Sequence, residues 1–320
     1  MKSKPILIIS GEPNSIFLEI FFKSYKKKFK SPLILISSLK LINLQMKKLN
    51  FKKKIRLIEY KKINNYKLDN KSINLINIDY ETNKAFEKIS KKSNSFIKKS
   101  FDISEYIIKS GFSDKLINGP ISKKSFLGKK FPGITEYLAK RSGIKKVSML
   151  IYNKELSVCP VTTHLPLKKV AKKITFNEIS NNIILINKFY KAYRKIKPRI
   201  ALLGLNPHCE STDNFNEDKE IINKTVIHFL KLGYKISGPH PADTIFLKNN
   251  RKNYDVIIGM YHDQVLTPIK TIFEYEAINI TLGLPYLRVS PDHGPNEKML
   301  GKNKSNPLSL IQAINFLDKN

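Results

Sequence analysis

The sequence predicts an α/β protein built on a largely parallel β-sheet. Short apolar strands alternate with longer amphipathic segments over most of the 320 residues, and 41% of the residues are hydrophobic, enough to bury a core. The predicted strands are PILIIS, LILISS, INLINI, KLINGP, VSMLIY, RIALLGL and YDVIIGM. There is no internal repeat and no Gly/Ser-rich linker, so we expect no independently folded domains joined by flexible chain.

Two helices carry clear boundary signals. Residues 83–111 have helical periodicity and end at Gly111, a common helix terminator. Thr175 is the predicted N-cap of a second helix, and Glu178 completes a capping box. This helix is expected to end just before Pro198.

The formal net charge of +32 is the most unusual bulk property. Alone it would favour a nucleic-acid partner or another anionic surface. The lysines are scattered and accompanied by abundant Asn and Ile, so we interpret the charge as compositional bias. Nucleic-acid binding remains the alternative, although no helix-turn-helix, RRM or zinc-finger pattern is visible.

Apolar runs and cysteines indicate the compartment. The longest apolar runs fall well short of the roughly 20 residues that span a membrane, and MKSKPILIISGEP lacks the apolar segment of a signal peptide. Cys159 and Cys209 do not form a disulfide or zinc pattern. We therefore expect a cytoplasmic protein with reduced thiols.

Three of the six histidines follow predicted strands. They are His164 after LSVCPVTTH, His208 after RIALLGLNPH and His262 after YDVIIGMYH. Ligands of open α/β sheets bind at the carboxyl ends of strands, and three converging imidazoles suit a divalent metal. The alternative stays open, because a strand-end histidine is more often an ordinary hydrogen-bonding residue.

The other three histidines occur in different contexts. His228 has helical spacing from apolar neighbours, which predicts a packed or half-exposed helix residue, and His240 lies between prolines and is predicted to be in a loop. His293 lies between Asp292 and Gly294, where a glycine permits close approach of a ligand to the backbone.

A further group of residues suits an anionic substrate. Lys270, Asn279 and Arg288 follow the His262 segment, and Thr135 with Glu136 opens a predicted helix. A guanidinium, an ammonium and a helix-terminal hydroxyl are typical partners of a phosphate ester.

Several segments together resemble a known family. GEPNSI, NGPISKKSF, FPGITEYLA, VTTHLPLKKV, LGLNPHCE, GPHPADTIF, MYHDQVLTPIK, NITLGLPYLRVSPDHG and PLSLIQAI are similar, in order and spacing, to the PdxA family, the NAD-dependent 4-hydroxythreonine-4-phosphate dehydrogenases of pyridoxal phosphate synthesis. The resemblance extends from the first strand to the last helix.

The resemblance implies an isocitrate/isopropylmalate-dehydrogenase-like fold. In this fold residues 1–320 form one catalytic unit of two α/β lobes with an interlobe cleft, and two copies form a homodimer with active sites at the subunit interface. It also implies NAD or NADP as cofactor without a Gly-x-Gly-x-x-Gly loop, and one divalent ion, Zn, Mg, Co or Mn, bound by His164, His208 and His262.

The resemblance also implies residue roles. The substrate contacts are Thr135, Lys270, Asn279 and Arg288, together with the position of Ile134, and the nucleotide contacts are Asp292, His293 and Gly294. The family oxidises a secondary alcohol to a β-keto acid, which then loses carbon dioxide. Asp263 and Asp243 are candidates for accepting a proton or orienting the histidines, and Lys270 is a third catalytic candidate.

Two departures from the family pattern bear on activity. Ile134 replaces the histidine of GHTE, and Val265 replaces the glycine of DQG. Our preferred interpretation is drift with activity retained, because the three histidines and Lys270 persist. The alternatives are a related dehydrogenase acting on a phosphorylated four-carbon hydroxy acid and, third, an inactive binding protein.

Overall fold

A computed structural model describes residues 3–128 and 130–320. In these residues the strands are β1 Ile6–Ile9, β2 Leu33–Ser37, β3 Ile55–Leu57, β4 Ile73–Asn77, β5 Lys115–Asn118, β6 Ser148–Tyr152, β7 Ser157–Thr162, β8 Arg199–Leu203, β9 Lys235–His240, β10 Val256–Tyr261, β11 Ile278–Leu282 and β12 Leu287–Pro291. The helices are α1 Phe17–Ser24, α2 Leu39–Lys48, α3 Ser93–Lys109, α4 Ile134–Arg141, α5 Phe176–Phe189, α6 Lys224–Lys231, α7 Lys248–Arg251, α8 His262–Phe273 and α9 Leu308–Lys319. Short 3-10 or π turns occupy Tyr60–Asn65, Lys123–Leu127, Leu167–Lys169, Ala171–Lys173, Tyr190–Arg194, Pro207–Cys209, Asp218–Asn223 and Glu297–Met299.

The chain divides into two compact units. Unit 1 comprises Met1–Ile134 and Pro285–Asn320, and unit 2 comprises Thr135–Leu284. Each unit has its own strands and covering helices.

Unit 1 contains six parallel strands in the order β3-β4-β2-β1-β5-β12. The residues of β1 and β2 are entirely buried. Parallel strands covered by helices on both faces have continuous apolar sequences, which is why PILIIS and LILISS were recognisable as strands.

Unit 2 contains a mixed sheet in the order β11-β6-β7-β10-β8-β9. Strands β7, β10, β8 and β9 are parallel neighbours, whereas β6 is antiparallel to both β7 and β11. Its core includes Ile151, Val158, Ala201, Ile257 and Val265. The predicted α/β class with a largely parallel sheet is therefore confirmed.

The helix predicted over 83–111 was wrong at its start, because α3 begins at Ser93. Side chains bind the backbone before that point: Thr82 Oγ1 accepts from the Lys84 N–H at 3.2 Å, and Asn14 Oδ1 accepts from the Glu87 N–H at 2.8 Å. These bonds replace the i to i−4 hydrogen bonds of a helix.

Two further predictions had different outcomes. Thr175 caps α5 as predicted, because its Oγ1 accepts from the Glu178 N–H at 3.2 Å. His240 was wrongly predicted in a loop, since it is the last residue of β9 and its Nε2 lies 2.8 Å from Ser237 Oγ. Every helix among residues 3–128 and 130–320 is too short or too polar to span a lipid bilayer.

Glu12, in the GEPNSI segment, is a buried acid of unit 1. Its side chain is 1% exposed; Oε1 accepts from Ser93 Oγ at 2.8 Å and from the Asn14 N–H at 3.2 Å, while Oε2 has no partner among the described residues. Burial raises the pKa of this carboxyl, and the nearby Glu297 acts in the same direction. The fold therefore favours the protonated form of Glu12.

We expect Glu12→Gln to become more stable, relative to wild type, as the pH rises. A carboxyl with a raised folded-state pKa stabilises the fold below its unfolded pKa, and this contribution is lost as the pH rises through the folded pKa. Glutamine has no such proton to lose. Urea unfolding of both proteins from about pH 5 to about pH 8 measures the difference in their free energies of unfolding. A difference that does not change with pH would show that the pKa of Glu12 is not raised in the folded protein.

Candidate active site at the strand ends of unit 2

The parallel strands of unit 2 bring two predicted histidines to one edge of the sheet. β10 pairs with β7 in a register that places Tyr261 opposite Thr162. His262 follows Tyr261 directly and is the first residue of α8, while His164 lies two positions beyond Thr162. The hydrogen-bonded ends of these strands therefore place the two imidazoles side by side.

The two rings face a cavity of about 390 Å³. The ring centroids of His164 and His262 are 6.0 Å apart, with the ring planes inclined by 37°. The other lining residues are Thr162, Thr163, Leu165, Leu167, Val170, Tyr261 and Asp263. Two imidazoles at this separation are suited to supply two of the protein ligands of a divalent metal site.

Asp263 supports one ring of the pair. Its Oδ1 lies 2.7 Å from His262 Nδ1, and the carboxylate is largely exposed whereas the imidazole is only 35% exposed. A neutral imidazole that donates Nδ1–H to a carboxylate carries its lone pair on Nε2. The contact thus favours the tautomer that binds a metal or accepts a proton through Nε2.

His208 lies outside the described lining of this cavity. It is exposed on the turn Pro207–Cys209 after β8, and both His208 and Cys209 have left-handed backbones with φ of 55° and 61°. Across residues 3–128 and 130–320, no three His, Cys, Asp or Glu side chains form a group that could hold a metal ion. A single chain therefore brings together two of the three predicted ligands.

Two residues that sequence reasoning missed fix the loop that carries His208. Asp218, 1% exposed, accepts from the Leu205 N–H at 2.6 Å and the Asn206 N–H at 3.2 Å. Gln264 accepts from the Met260 N–H at 2.7 Å and donates to the Gly204 carbonyl at 2.8 Å, linking the ends of β10 and β8. Gln264 was visible in the MYHDQ segment, whereas nothing in the sequence marks Asp218.

Asp243 lies near the same loop. It follows β9 and is exposed, and it is close enough to Cys209 to influence the thiol. Burial raises the pKa of Cys209 most, and the carboxylates of Asp218 and Asp243 raise it further. Asp263 therefore contacts His262 directly, whereas Asp243 acts electrostatically on Cys209, the residue after His208.

The predicted substrate contacts of unit 2 lie on α4, β11 and α8. Thr135 is buried near the start of α4, and its Oγ1 lies 3.5 Å from Thr281 Oγ1. Asn279 lies on β11, and its buried Oδ1 has no hydrogen-bond partner among the described residues. Lys270 lies eight positions after His262 on α8, about 12 Å further along the helix axis, and is exposed.

The remaining predicted site residues belong to unit 1. Arg288 on β12 is 1% exposed, and its Nε donates to Asn118 Oδ1 at 2.6 Å. Ile134, half-buried, is the last residue of the first segment of unit 1.

The predicted nucleotide segment of unit 1 contacts the first motif. The Ile16 N–H donates to the Pro295 carbonyl at 3.1 Å, which joins the GEPNSI loop to the loop carrying Asp292, His293 and Gly294. A Cβ added at Gly294 would meet no atom within 4 Å, so open space lies beside its backbone. The predicted nucleotide segment is thus tied to the GEPNSI loop by a backbone hydrogen bond.

Comparison with known proteins identifies the family. Residues 28–317 match the model of the pyridoxal phosphate biosynthetic protein PdxA. The chain is also 37% identical to a 4-hydroxythreonine-4-phosphate dehydrogenase of Sulfurihydrogenibium sp. (strain YO3AOP1), over 97% of this chain and 96% of that relative. The chain belongs to the PdxA family. The resemblance seen in the sequence is thereby confirmed.

Solved structures agree with membership of the PdxA family. The crystal structure of 4-hydroxythreonine-4-phosphate dehydrogenase from Klebsiella pneumoniae has a TM-score of 0.84 and 25% identity, covering 98% of both chains. The enzyme of that name from Burkholderia phymatum has a TM-score of 0.79 and 26% identity, covering 99% of this chain and 98% of the other.

The unusual Val265 of the MYHDQV segment has a structural explanation. It lies in α8, is fully buried and belongs to the core of unit 2. A Cβ added at Gly259 on β10 would collide with Val265 Cγ1. The helical backbone accepts a β-branched residue, and the valine fills the space above Gly259.

Because Val265 is a core residue, Val265→Gly should destabilise the protein by about 3 kcal/mol through lost burial and lower helix propensity. Thr267→Gly, at an exposed position of the same helix, is the matched control and should cost only about 0.5 kcal/mol. Urea unfolding measures both, and equal losses would show that Val265 does not support the core.

Proposed function

We propose that this chain is a 4-hydroxythreonine-4-phosphate dehydrogenase of pyridoxal phosphate biosynthesis (EC 1.1.1.262). The reaction is the NAD-dependent oxidation of 4-phosphooxy-L-threonine to 2-amino-3-oxo-4-(phosphooxy)butanoate, with hydride passing to the nicotinamide and a proton released. The β-keto acid then loses carbon dioxide to give 3-amino-2-oxopropyl phosphate. The proposal is carried by the His164–His262 pair at the strand ends of a PdxA-family chain.

The imidazole pair and its carboxylate suit the oxidation step. His164 and His262 would hold a divalent ion, Zn, Mg, Co or Mn, which supplies Lewis acidity that lowers the pKa of the substrate hydroxyl. Asp263 keeps His262 in the Nε2-acceptor form, and its exposed carboxylate is a candidate acceptor for the hydroxyl proton. Asp243, which follows β9 and is exposed, is the second candidate for proton acceptance.

The other predicted residues bind the ends of the substrate and the cofactor. Lys270 and Arg288 provide positive charge for the phosphate and carboxylate groups of the substrate. Asn279 provides its Oδ1, which has no hydrogen-bond partner among the described residues, as an acceptor for a substrate donor. Asp292, His293 and Gly294 contact the nucleotide, NAD or NADP, at the loop where open space lies beside Gly294.

The active unit is proposed to be a homodimer with its active sites at the subunit interface. The support is that His164 and His262 meet within one chain while His208 lies outside their cavity. We propose that His208 of the partner subunit completes the metal site.

A substrate panel tests the activity. Purified protein with NAD and each of Zn, Mg, Co and Mn should produce NADH from 4-phosphooxy-L-threonine, and NADP in place of NAD tests nucleotide choice.

The second candidate function is oxidation of a phosphorylated threonate or erythronate, which the substitution of Ile134 for the family histidine favours. A faster rate on the hydroxy acid would select that alternative. An absence of NADH with every substrate, together with salt-sensitive RNA binding, would favour the inactive binding protein.

Mixed dimers test the shared site. His208→Ala and His262→Ala should each lose metal and nearly all turnover. When the two variants are unfolded and refolded together, half of the dimers are mixed and each has one intact site, so about a quarter of wild-type activity should return. If neither mixing nor prolonged exchange restores turnover, all three ligands come from one subunit. If His208→Ala alone keeps its metal and turnover, the three-histidine site is wrong.

A further inference from the structure

The segment that follows β7 places four lysines beside the cavity that contains His164 and His262. Two short turns, Leu167–Lys169 and Ala171–Lys173, carry them. No acidic residue occurs between Glu155 and Glu178, so the segment has no compensating charge in its own sequence. We call these four residues the rim lysines: Lys168, Lys169, Lys172 and Lys173.

Buried anchors hold the rim lysines close to the cavity. Leu167 and Val170 line the cavity, and Val170 and Ile174 are only 3% and 1% exposed. The Val170 N–H donates to the Leu167 carbonyl at 2.9 Å, and the Ile174 N–H donates to the Ala171 carbonyl at 3.1 Å. Each rim lysine is within three positions of a lining residue. Its backbone therefore lies at most about 11 Å from that residue, close to the Debye length of about 10 Å at about 0.1 M salt.

The charge of the rim lysines is not neutralised by ion pairs. All four residues are exposed, and none of them forms an ion pair with another described residue. The described lining of the cavity includes the carboxylate of Asp263 and no lysine or arginine. Between this segment and that lining, the permanent positive charge therefore comes from the rim lysines.

Charge of the opposite sign follows a nearby strand. Residues 210–220, after β8, contain five acidic residues and one lysine, and β10 lies between β7 and β8 in the sheet. The carboxyl ends of these strands therefore carry positive charge on the β7 side and negative charge on the β8 side. The local position of the lysines, and not the net charge of +32 alone, decides where an anion is attracted.

The proposed substrate has the charge that the rim lysines would attract. The carboxylate and the ammonium of 4-phosphooxy-L-threonine cancel, and its phosphate has a charge of about −1.5 to −2 at neutral pH. Erythronate and threonate phosphates have no ammonium and are more negative. Loss of carbon dioxide removes the carboxylate, so 3-amino-2-oxopropyl phosphate is less negative than the substrate. The same charge therefore attracts the substrate more strongly than the product.

We propose that the rim lysines attract the phosphorylated substrate to the cavity of His164 and His262 and raise its rate of association, without contacting it in the bound complex. The inference rests on the proposed function. Positive charge at the entrance of a cleft raises the association rate of an anion by about 10- to 1000-fold at low salt. The rim lysines therefore act on kcat/KM, whereas kcat, which reports on bound substrate, does not depend on them.

Reversal of the four charges tests the proposal with saturating NAD and metal. At about 10 mM salt the rim variant should lose about 10- to 100-fold in kcat/KM for 4-phosphooxy-L-threonine, with kcat unchanged. At about 0.5 M salt the loss should shrink to less than about 3-fold, because the Debye length falls from about 30 Å to about 4 Å. The rim variant combines four substitutions: Lys168→Glu, Lys169→Glu, Lys172→Glu and Lys173→Glu.

Two further sets of substitutions at the same positions separate charge from structure. Arginine at all four positions keeps the charge and should preserve the wild-type kcat/KM at both salt concentrations. Glutamine at all four positions removes the charge without reversing it, so it should cause a smaller loss with the same salt dependence.

The matched control reverses four lysines at the opposite end of the same strands. Each is exposed and lies within four positions of the first residue of β7, β8, β9 or β10, whereas the rim lysines follow the last residue of β7. The control changes the net charge by the same amount as the rim variant, and its kcat/KM should differ from wild type by less than about 3-fold. It combines Lys154→Glu, Lys197→Glu, Lys235→Glu and Lys252→Glu.

The outcomes separate this inference from the proposed function. Equal losses in the rim and control variants, a rim loss that persists at high salt, or no loss at all would each overturn the inference, while wild-type NADH production would still support the dehydrogenase. If wild type oxidises neither the threonine phosphate nor the hydroxy acid phosphates, the proposed function fails. Calorimetric binding of 4-phosphooxy-L-threonine at low salt then decides the inference. Weaker binding by the rim variant than by wild type and the control supports it, and equal affinity or no binding by any of the three overturns it.

Discussion

The parallel pairing of β7, β10 and β8 is the constraint on which the candidate site of unit 2 depends. Parallel strands end at the same edge of a sheet, so residues distant in sequence emerge together there. Gln264 reinforces this edge by hydrogen-bonding to the backbone at the ends of β10 and β8. The position of His262 is fixed further by the immediate start of α8, whose buried face includes Val265 and Leu266. A change in strand register would move every group of the site at once.

The buried acids of the chain illustrate how partners decide the role of a charge. Asp218 accepts from two backbone N–H groups and holds the loop before His208, so its charge is compensated by the structure itself. Glu12 has one unpartnered oxygen and a raised pKa, and the fold favours its neutral form. Glu136 also has an oxygen without a partner among the described residues, and it lines a cavity of unit 2. The surroundings of each carboxylate thus decide whether the fold compensates its charge or favours its neutral form.

Val265 and Ile134, the two departures from the family pattern, differ in their structural consequences. Val265 is accommodated by the helical backbone and by the space above Gly259, so it carries no structural penalty near His262. Ile134 replaces a group able to hydrogen-bond with a side chain that can neither donate nor accept a hydrogen bond. The retained Thr135 and Glu136 leave the rest of that helix start intact, which supports retention of a phosphorylated substrate.

The sequence by itself determined the α/β class, most strands and the cap of α5, because each follows from local periodicity or from contacts a few residues apart. It also identified the histidines and the family motifs. Only the tertiary structure decided which of these groups meet. His164 and His262 are 98 positions apart in sequence, and they are neighbours because β7 and β10 share hydrogen bonds. Three further features could not be predicted from the sequence, because each depends on contacts between residues far apart in the chain. They are the position of His208 outside the lining of the His164–His262 cavity, the burial of Arg288, and the Glu136 oxygen that has no partner among the described residues.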